Sequence, residues 1–456
     1  MNLTAREKPW SSNQFQPHIN NTNAMKALAA CLIALSLPAS ADWVELFNGK
    51  DFTNFGASGK TEKNGYFVKD GIIESSGKSR NLITEKQYAD YILEFEFQLT
   101  AGANNGLGVH YPGSGDAAYT GMELQILDNT ADKYKNLKEW QFHGSVYSLA
   151  PSLRGHLAPV GDWNKQRVTI RGPRLTVELN GVCITDVNLE ELSKKKPKHQ
   201  GVKRRKGHIC FAGHGDIIRV RKMRIAEISF GEDKSEAWYQ PTGKADDTLA
   251  GLGFTPVMKG GSLQNFAEDA NNKGHWTVKD GWILHYDGKG TNLWTSKEYK
   301  DFTTVVDWRW TGEHSGKRNQ PVLLLNGLQK TGADKKGVTA EIDEYDSGVL
   351  LRGAVRTQVN LWNWTVGSGE VYGIRNDGKQ PLPIRAALTP RVPADNKVGE
   401  WNRYVITVKG DRLTVVLNGK VVLHDAQLPG VQATGRLGFQ HHGNPLQFAN
   451  IFVKEL

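Results

Sequence analysis

Gly399–Leu423 reads GEWNRYVITVKGDRLTVVLNGKVVL, and Gly161–Thr185 reads GDWNKQRVTIRGPRLTVELNGVCIT. Both stretches open on Gly-acidic-Trp-Asn, carry Leu-Thr-Val at a shared offset and reach an Asn-Gly pair. Apolar and polar residues alternate up to that pair, which predicts two strands joined by a tight hairpin turn. The copies lie too far apart for a solenoid, so they mark tandem copies of one domain.

The flanking sequence repeats in the same order. WTVKDGWILH (Trp276–His285) matches GYFVKDGIIE (Gly65–Glu74), each a hairpin with Asp-Gly at its tip. NLWTSKEYKDFTTVVDW (Asn292–Trp308) matches NLITEKQYADYILEFEF (Asn81–Phe97). In YILEFEFQL (Tyr91–Leu99), Leu93, Phe95, Phe97 and Leu99 alternate with Glu94, Glu96 and Gln98, the mark of a strand covering a core on one face. Further strands are expected at Leu107–His110, Met122–Leu127, Gly207–Phe211 and Ile217–Phe230. No long stretch carries a helical period. Short strands punctuated by turns predict an all-β chain of tandem β-sandwich, or jelly-roll, domains.

The 456 residues accommodate two or three domains at roughly 150–200 residues each. The expected layout is a non-mature N-terminus (1–41), a first sandwich (42–231), a polar linker with Pro241 and Gly243 (232–251) and a second sandwich (252–456). MKALAACLIALSLPASA, from Met25, has one Lys, an apolar run and Ala39-Ser40-Ala41, which reads as a secretory signal cleaved after Ala41, with Met25 as the start. A periplasmic or secreted protein is expected. Cys31 leaves with that segment; Cys183 and Cys210 either pair or remain buried thiols. The net charge of +9 is concentrated in one loop that holds Lys194, Lys195, Lys196, Lys198, Lys203, Arg204, Arg205 and Lys206. A solvated hairpin extension accounts for that loop, and no nucleic-acid partner is expected.

LFNGKDFTNF, GMELQILDN, GSVYSLAPS, GDWN, LNG and GFQHHGNPLQFANIFVKEL together resemble the 3-keto-disaccharide hydrolase family, once a domain of unknown function, over nearly the whole mature chain and once per half. The resemblance implies a concanavalin A-like fold related to laminarinase-type glucanases. It also implies a substrate oxidised at C3 by a separate sugar 3-dehydrogenase; this chain has no GxGxxG on a strand–helix unit to bind a dinucleotide. A C3 ketone acidifies the C2 proton, so the chemistry needs a base, an enolate stabiliser and an acid for the leaving oxygen. The alternatives are a lectin-like carbohydrate-binding protein, or one catalytic copy beside one binding copy.

In GMELQILDN, Glu123 and Gln125 share one face while Met122, Leu124 and Ile126 share the other. Glu123 is the expected base, with Asp128 the second candidate. His143 and Tyr147, around GSVYSL, are candidate donors; His110 and His214 are candidate substrate ligands. Sliding this strand onto the second copy puts Gln358 at Glu123, Asn360 at Gln125 and Asn363 at Asp128. Amides bind hydroxyls but are not bases, so Glu370 of GSGEVYGI is the candidate carboxylate there. Trp362, Trp364 and Tyr372 offer faces for a pyranose, and Arg352, His441, His442 and Asn444 complete the expected binding set. The acidic run EIDEYD offers Glu341 and Asp343 as oxygen ligands for a divalent cation such as Ca²⁺, without the spacing of a calcium loop. No HExxH zinc motif or GxSxG elbow is present.

Overall fold

The computed structural model describes residues 43–56 and 65–456. The expected signal segment lies outside the described residues. Each half is a sandwich of two antiparallel sheets, and both halves use the same strand order. In the first, the larger sheet runs 182–188, 174–179, 163–171, 91–99, 218–227, 72–75, 66–69, with Val44–Glu45 also on 218–227. The smaller sheet runs 82–83, 208–213, 104–111, 122–127. In the second, the larger sheet runs 420–427, 412–417, 402–409, 302–310, 446–455, 283–286, 276–279, and the smaller one runs 266–267, 293–299, 435–439, 346–351, 354–362.

The doubled motif explains itself in this frame. Leu179 pairs with Val182 and Leu417 with Lys420, leaving two-residue turns at Asn180-Gly181 and Asn418-Gly419. Those asparagines sit at φ 50° in both copies, a left-handed conformation that Asn tolerates better than most residues. The Asn of Gly-acidic-Trp-Asn then clamps the turn: Asn180 Nδ2 donates to Asn164 Oδ1 at 2.9 Å, and Asn418 Nδ2 to Asn402 Oδ1 at 2.8 Å. Each turn asparagine returns the bond by accepting the N–H of Lys165 or Arg403.

Alternation sorts the strands as expected. Leu93, Phe95 and Phe97 meet Leu107, Leu124, Ile126 and Phe211 in the first core. Trp276, Trp308, Tyr404 and Phe448 anchor the second. The polar face of Tyr91–Leu99 is paired rather than solvated: Glu94 takes bonds from Arg167 (2.7 Å) and Arg224 (2.7 Å).

One detail differs from the sequence reading. The basic loop is not a hairpin extension; Asn188 caps a short helix, Leu189–Lys195, whose last-turn lysines complement the helix dipole. Cys183 and Cys210 are free and buried in different sheets. The segment after Trp310 forms a hairpin, Lys317–Pro321 with Thr339–Asp343, whose connecting loop grips the first sandwich. There Asn326 Nδ2 donates to Glu178 Oε1 (2.6 Å), Lys330 pairs with Asp186 (3.0 Å) and Thr331 Oγ1 donates to the Gly181 carbonyl (2.9 Å). Arg171, fully buried, donates across the same junction to the Ala386 carbonyl at 2.6 Å. Among the described residues, no helix is long and apolar enough to cross a membrane.

Candidate active site

The outer face of the small sheet in the first sandwich floors a pocket of about 320 Å³. Met122–Leu127 turns Met122, Leu124 and Ile126 into the core, so its pleat sends Glu123 and Gln125 into the pocket. The neighbouring strand contributes Asn104, and Gly106 and Gly108 lie opposite Gln125 and Glu123. Gly106 matters because the Glu123 carboxylate lies over it, in the space a Cβ would fill. His214 closes one side, with Nε2 3.6 Å from Glu123 Oε1. The Glu123 carboxylate beside it holds the His214 pKa above its ordinary value against the opposing effect of burial.

Tyr147 completes the group. Its N–H donates to the Glu123 carbonyl at 2.9 Å, so the two residues are fixed in register. Trp140 and Tyr119 pack edge-on against its ring at 5.0 and 6.5 Å, which steadies the phenol in the pocket wall. Gln125 Nε2 donates to Asn104 Oδ1 at 2.8 Å, while its Oε1 is buried without a hydrogen-bond partner among the described residues. Asp116, Tyr134 and Gln141, none of them expected from the sequence, also line the cavity. The pocket therefore holds a carboxylate, an imidazole, a phenol and an amide side chain.

The second sandwich has a pocket of about 360 Å³ at the equivalent place, lined by Gln358, Asn360, Trp362, Tyr372 and His442 with Arg318, Asp346, Arg356 and Gln440. Asn360 N–H donates to the Glu370 carbonyl (2.9 Å) as Gln125 N–H donates to Ser145 (3.0 Å), which makes Tyr372 the counterpart of Tyr147. Trp362 stacks on Trp364 with centroids 4.6 Å apart.

Several expected site residues face elsewhere. Asp128 staples a loop, accepting from Gly102 N–H (2.8 Å) and Thr130 Oγ1 (2.6 Å). The His143 ring stacks on Phe97 at 5.1 Å inside the core, with Nε2 against Gln166 Oε1. His110 is buried between the Arg204 and Ala89 carbonyls. Glu370 is fully buried in an ion pair with Arg375, so it does not supply the carboxylate of the second pocket. Trp364 donates to the Pro321 carbonyl beneath Trp362. Arg352 binds the Gly410 and Gln432 carbonyls and Asp301. His441 is engaged by Tyr286 Oη, and Asn444 Oδ1 accepts the Asp346 N–H at 3.1 Å. Glu341 and Asp343 lie on the exposed hairpin beside Lys317 (3.0 Å) and His314 (3.7 Å). Among the described residues, no three His, Cys, Asp or Glu side chains gather as a metal site.

The family model of the 3-keto-alpha-glucoside-1,2-lyase-like domain matches residues 42–226 and again 253–454. The chain belongs to this family. A 3-keto-disaccharide hydrolase of Bacteroides thetaiotaomicron is 25% identical over 241 residues, covering 43% of this chain and 82% of that protein. A candidate glycosyl hydrolase of Parabacteroides distasonis is 24% identical, covering 41% of this chain and 94% of its own, with a TM-score of 0.37. A carbohydrate-binding module from Bacillus subtilis is 14% identical, covers 44% and 96%, and has a TM-score of 0.22. This member of the 3-keto-glucoside lyase-like family is a carbohydrate-active protein of the glycosyl-hydrolase type with two family domains in tandem.

Proposed function

We propose that the first sandwich cleaves 3-keto-glycosides by elimination followed by hydration. The observation that carries this reading is the Glu123–His214 pair at 3.6 Å in a pocket also lined by Tyr147 and Gln125. Glu123 takes the C2 proton, and the electron pair moves onto the C3 oxygen as an enolate. His214 sits beside the base, where a proton on its ring neutralises that charge. The enolate then re-forms the ketone, C1=C2 is made, and the C1–O bond breaks as the leaving oxygen takes a proton from Tyr147. Water adds its oxygen to C1 and a proton returns to C2, so the net change is hydrolysis. Gln125 accepts a ring hydroxyl and holds the sugar in register.

The family description and the Bacteroides relative's name both concern 3-keto sugars, and they support this substrate class. A separate sugar 3-dehydrogenase supplies the ketone. The Met25–Ala41 segment supports export to the periplasm or beyond, which N-terminal sequencing of the mature protein checks. Incubation with a 3-keto-disaccharide in D₂O tests the chemistry. Release of free sugar with deuterium at C2 is expected; saturable binding with no release and no exchange sinks the enzyme reading in favour of a lectin-like protein.

A further inference from the structure

The second sandwich repeats the frame of the first site but moves its acid. Leu107 pairs with Phe211 as Val349 pairs with Phe439, which fixes the superposition of the two small sheets. Gly348 then falls at Gly106, Gln358 at Glu123, Asn360 at Gln125, His442 at His214 and Asp346 at Asn104. A carboxylate absent at Gln358 is present instead on the adjacent strand, opposite Trp362 and four residues along from Leu350, the partner of Gln358. The histidine turns to it: His442 Nε2 lies 3.3 Å from Asp346 Oδ2.

The neighbouring side chains change in step. Gln440 stands where the first copy has Ala212, and its Oε1 takes the Gln358 Nε2 bond at 2.6 Å, so Gln358 is spoken for and His442 is free to face Asp346. Trp362 replaces Leu127 at the pocket edge, and its Nε1 is buried without a partner among the described residues. Asn444 pins the Asp346 backbone. The Asp346 side chain is only 13% exposed, and burying its charge is costly. Burial and the nearby Glu344 push Asp346 up to about 7, into the range where a base works at neutral pH.

We propose that the second sandwich is a second acid–base centre, in which Asp346, His442 and Tyr372 act on a 3-keto-glycoside laid against Trp362. This rests on the reading of the first site for its chemistry. The Asp346 carboxylate takes the C2 proton, the electron pair passes through the enolate to break C1–O, and Tyr372 protonates the leaving oxygen. Water then adds as before.

The test uses the full chain and nitrophenyl 3-keto-α-glucoside as the probe. Glu123→Gln is expected to leave a residual release that rises with pH through about 7. Adding Asp346→Asn is expected to lower that residual by about 10²-fold or more. Should the Asp346→Asn chain melt early, Glu123→Gln with His442→Gln gives the same readout. Release at the uncatalysed rate from Glu123→Gln alone, or undiminished release from the double variants, overturns the second centre while the first-site reading stands. No release from the wild-type chain overturns both.

Discussion

Glu123 and His214 face each other across the first pocket, Oε1 to Nε2 at 3.6 Å. The pair couples the proposed base to a proposed acid, because the Glu123 carboxylate raises the His214 pKa above its ordinary value. Glu123→Gln removes both effects at once. The release assigned to the first site is expected to fall by about 10²–10⁴-fold. The His214 midpoint, followed by NMR of labelled histidines, is expected to move down. An unchanged midpoint would mean that the contact is not populated in solution.

Gly106 is a second handle on the same carboxylate. A Cβ there meets the end of the Glu123 side chain, which is flexible and able to swing away, so the fold tolerates Gly106→Ala while the base is displaced. A misplacement of about 1 Å is worth about 10²-fold in rate. The expected outcome is that loss in kcat with a melting temperature near that of the wild type. Full activity in Gly106→Ala would remove Glu123 from the base role.

His143 governs acid stability instead of turnover. Burial against Phe97 pushes its pKa down to about 4, below the ordinary value near 6.5. The unfolded chain therefore takes the extra proton first. Its contribution is complete above about pH 6.5 and is lost as pH falls toward about 4, an effect on the order of 3 kcal/mol. Urea midpoints at about pH 7.5 and about pH 5 are expected to diverge in the wild type and to draw together in His143→Gln. Equal slopes in both proteins would show that the ring is not held neutral.

Much of the fold was legible because it is written locally. Period-2 alternation in YILEFEFQL and the Asn-Gly pairs specify strands and turns without knowledge of what packs where. Glu123 and Gln125 followed from the same alternation. His143 did not, because the Gly144 turn at φ 80° lets the chain reverse and sends the preceding ring inward while Tyr147 goes to the pocket. Asp346 was harder still. It reads as one of several acids of EIDEYD, and only the pairing of Val349 with Phe439 puts it beside His442. A carboxylate that sits on a different strand, at the other end of the same sheet face, has no counterpart in a linear match.

Glu370 separates ion-pair architecture from chemistry. It is fully buried against Arg375, whose guanidinium also lies over the rings of Trp364 (5.6 Å) and Tyr372 (5.2 Å). Burial pushes the carboxyl up in pKa, and the Arg375 guanidinium opposes that rise. Glu370→Gln strands the Arg375 charge in the core at a cost of about 3–5 kcal/mol, visible as a drop of several degrees in melting temperature. Glu370→Leu with Arg375→Met removes both charges and is expected to recover most of that loss. Catalysis by whatever remains folded is expected to follow Tyr372 geometry and not the carboxylate, so the double variant retains the Asp346-dependent release. A Glu370→Gln chain that melts like the wild type yet loses that release would return Glu370 to the chemistry and displace Asp346 from it.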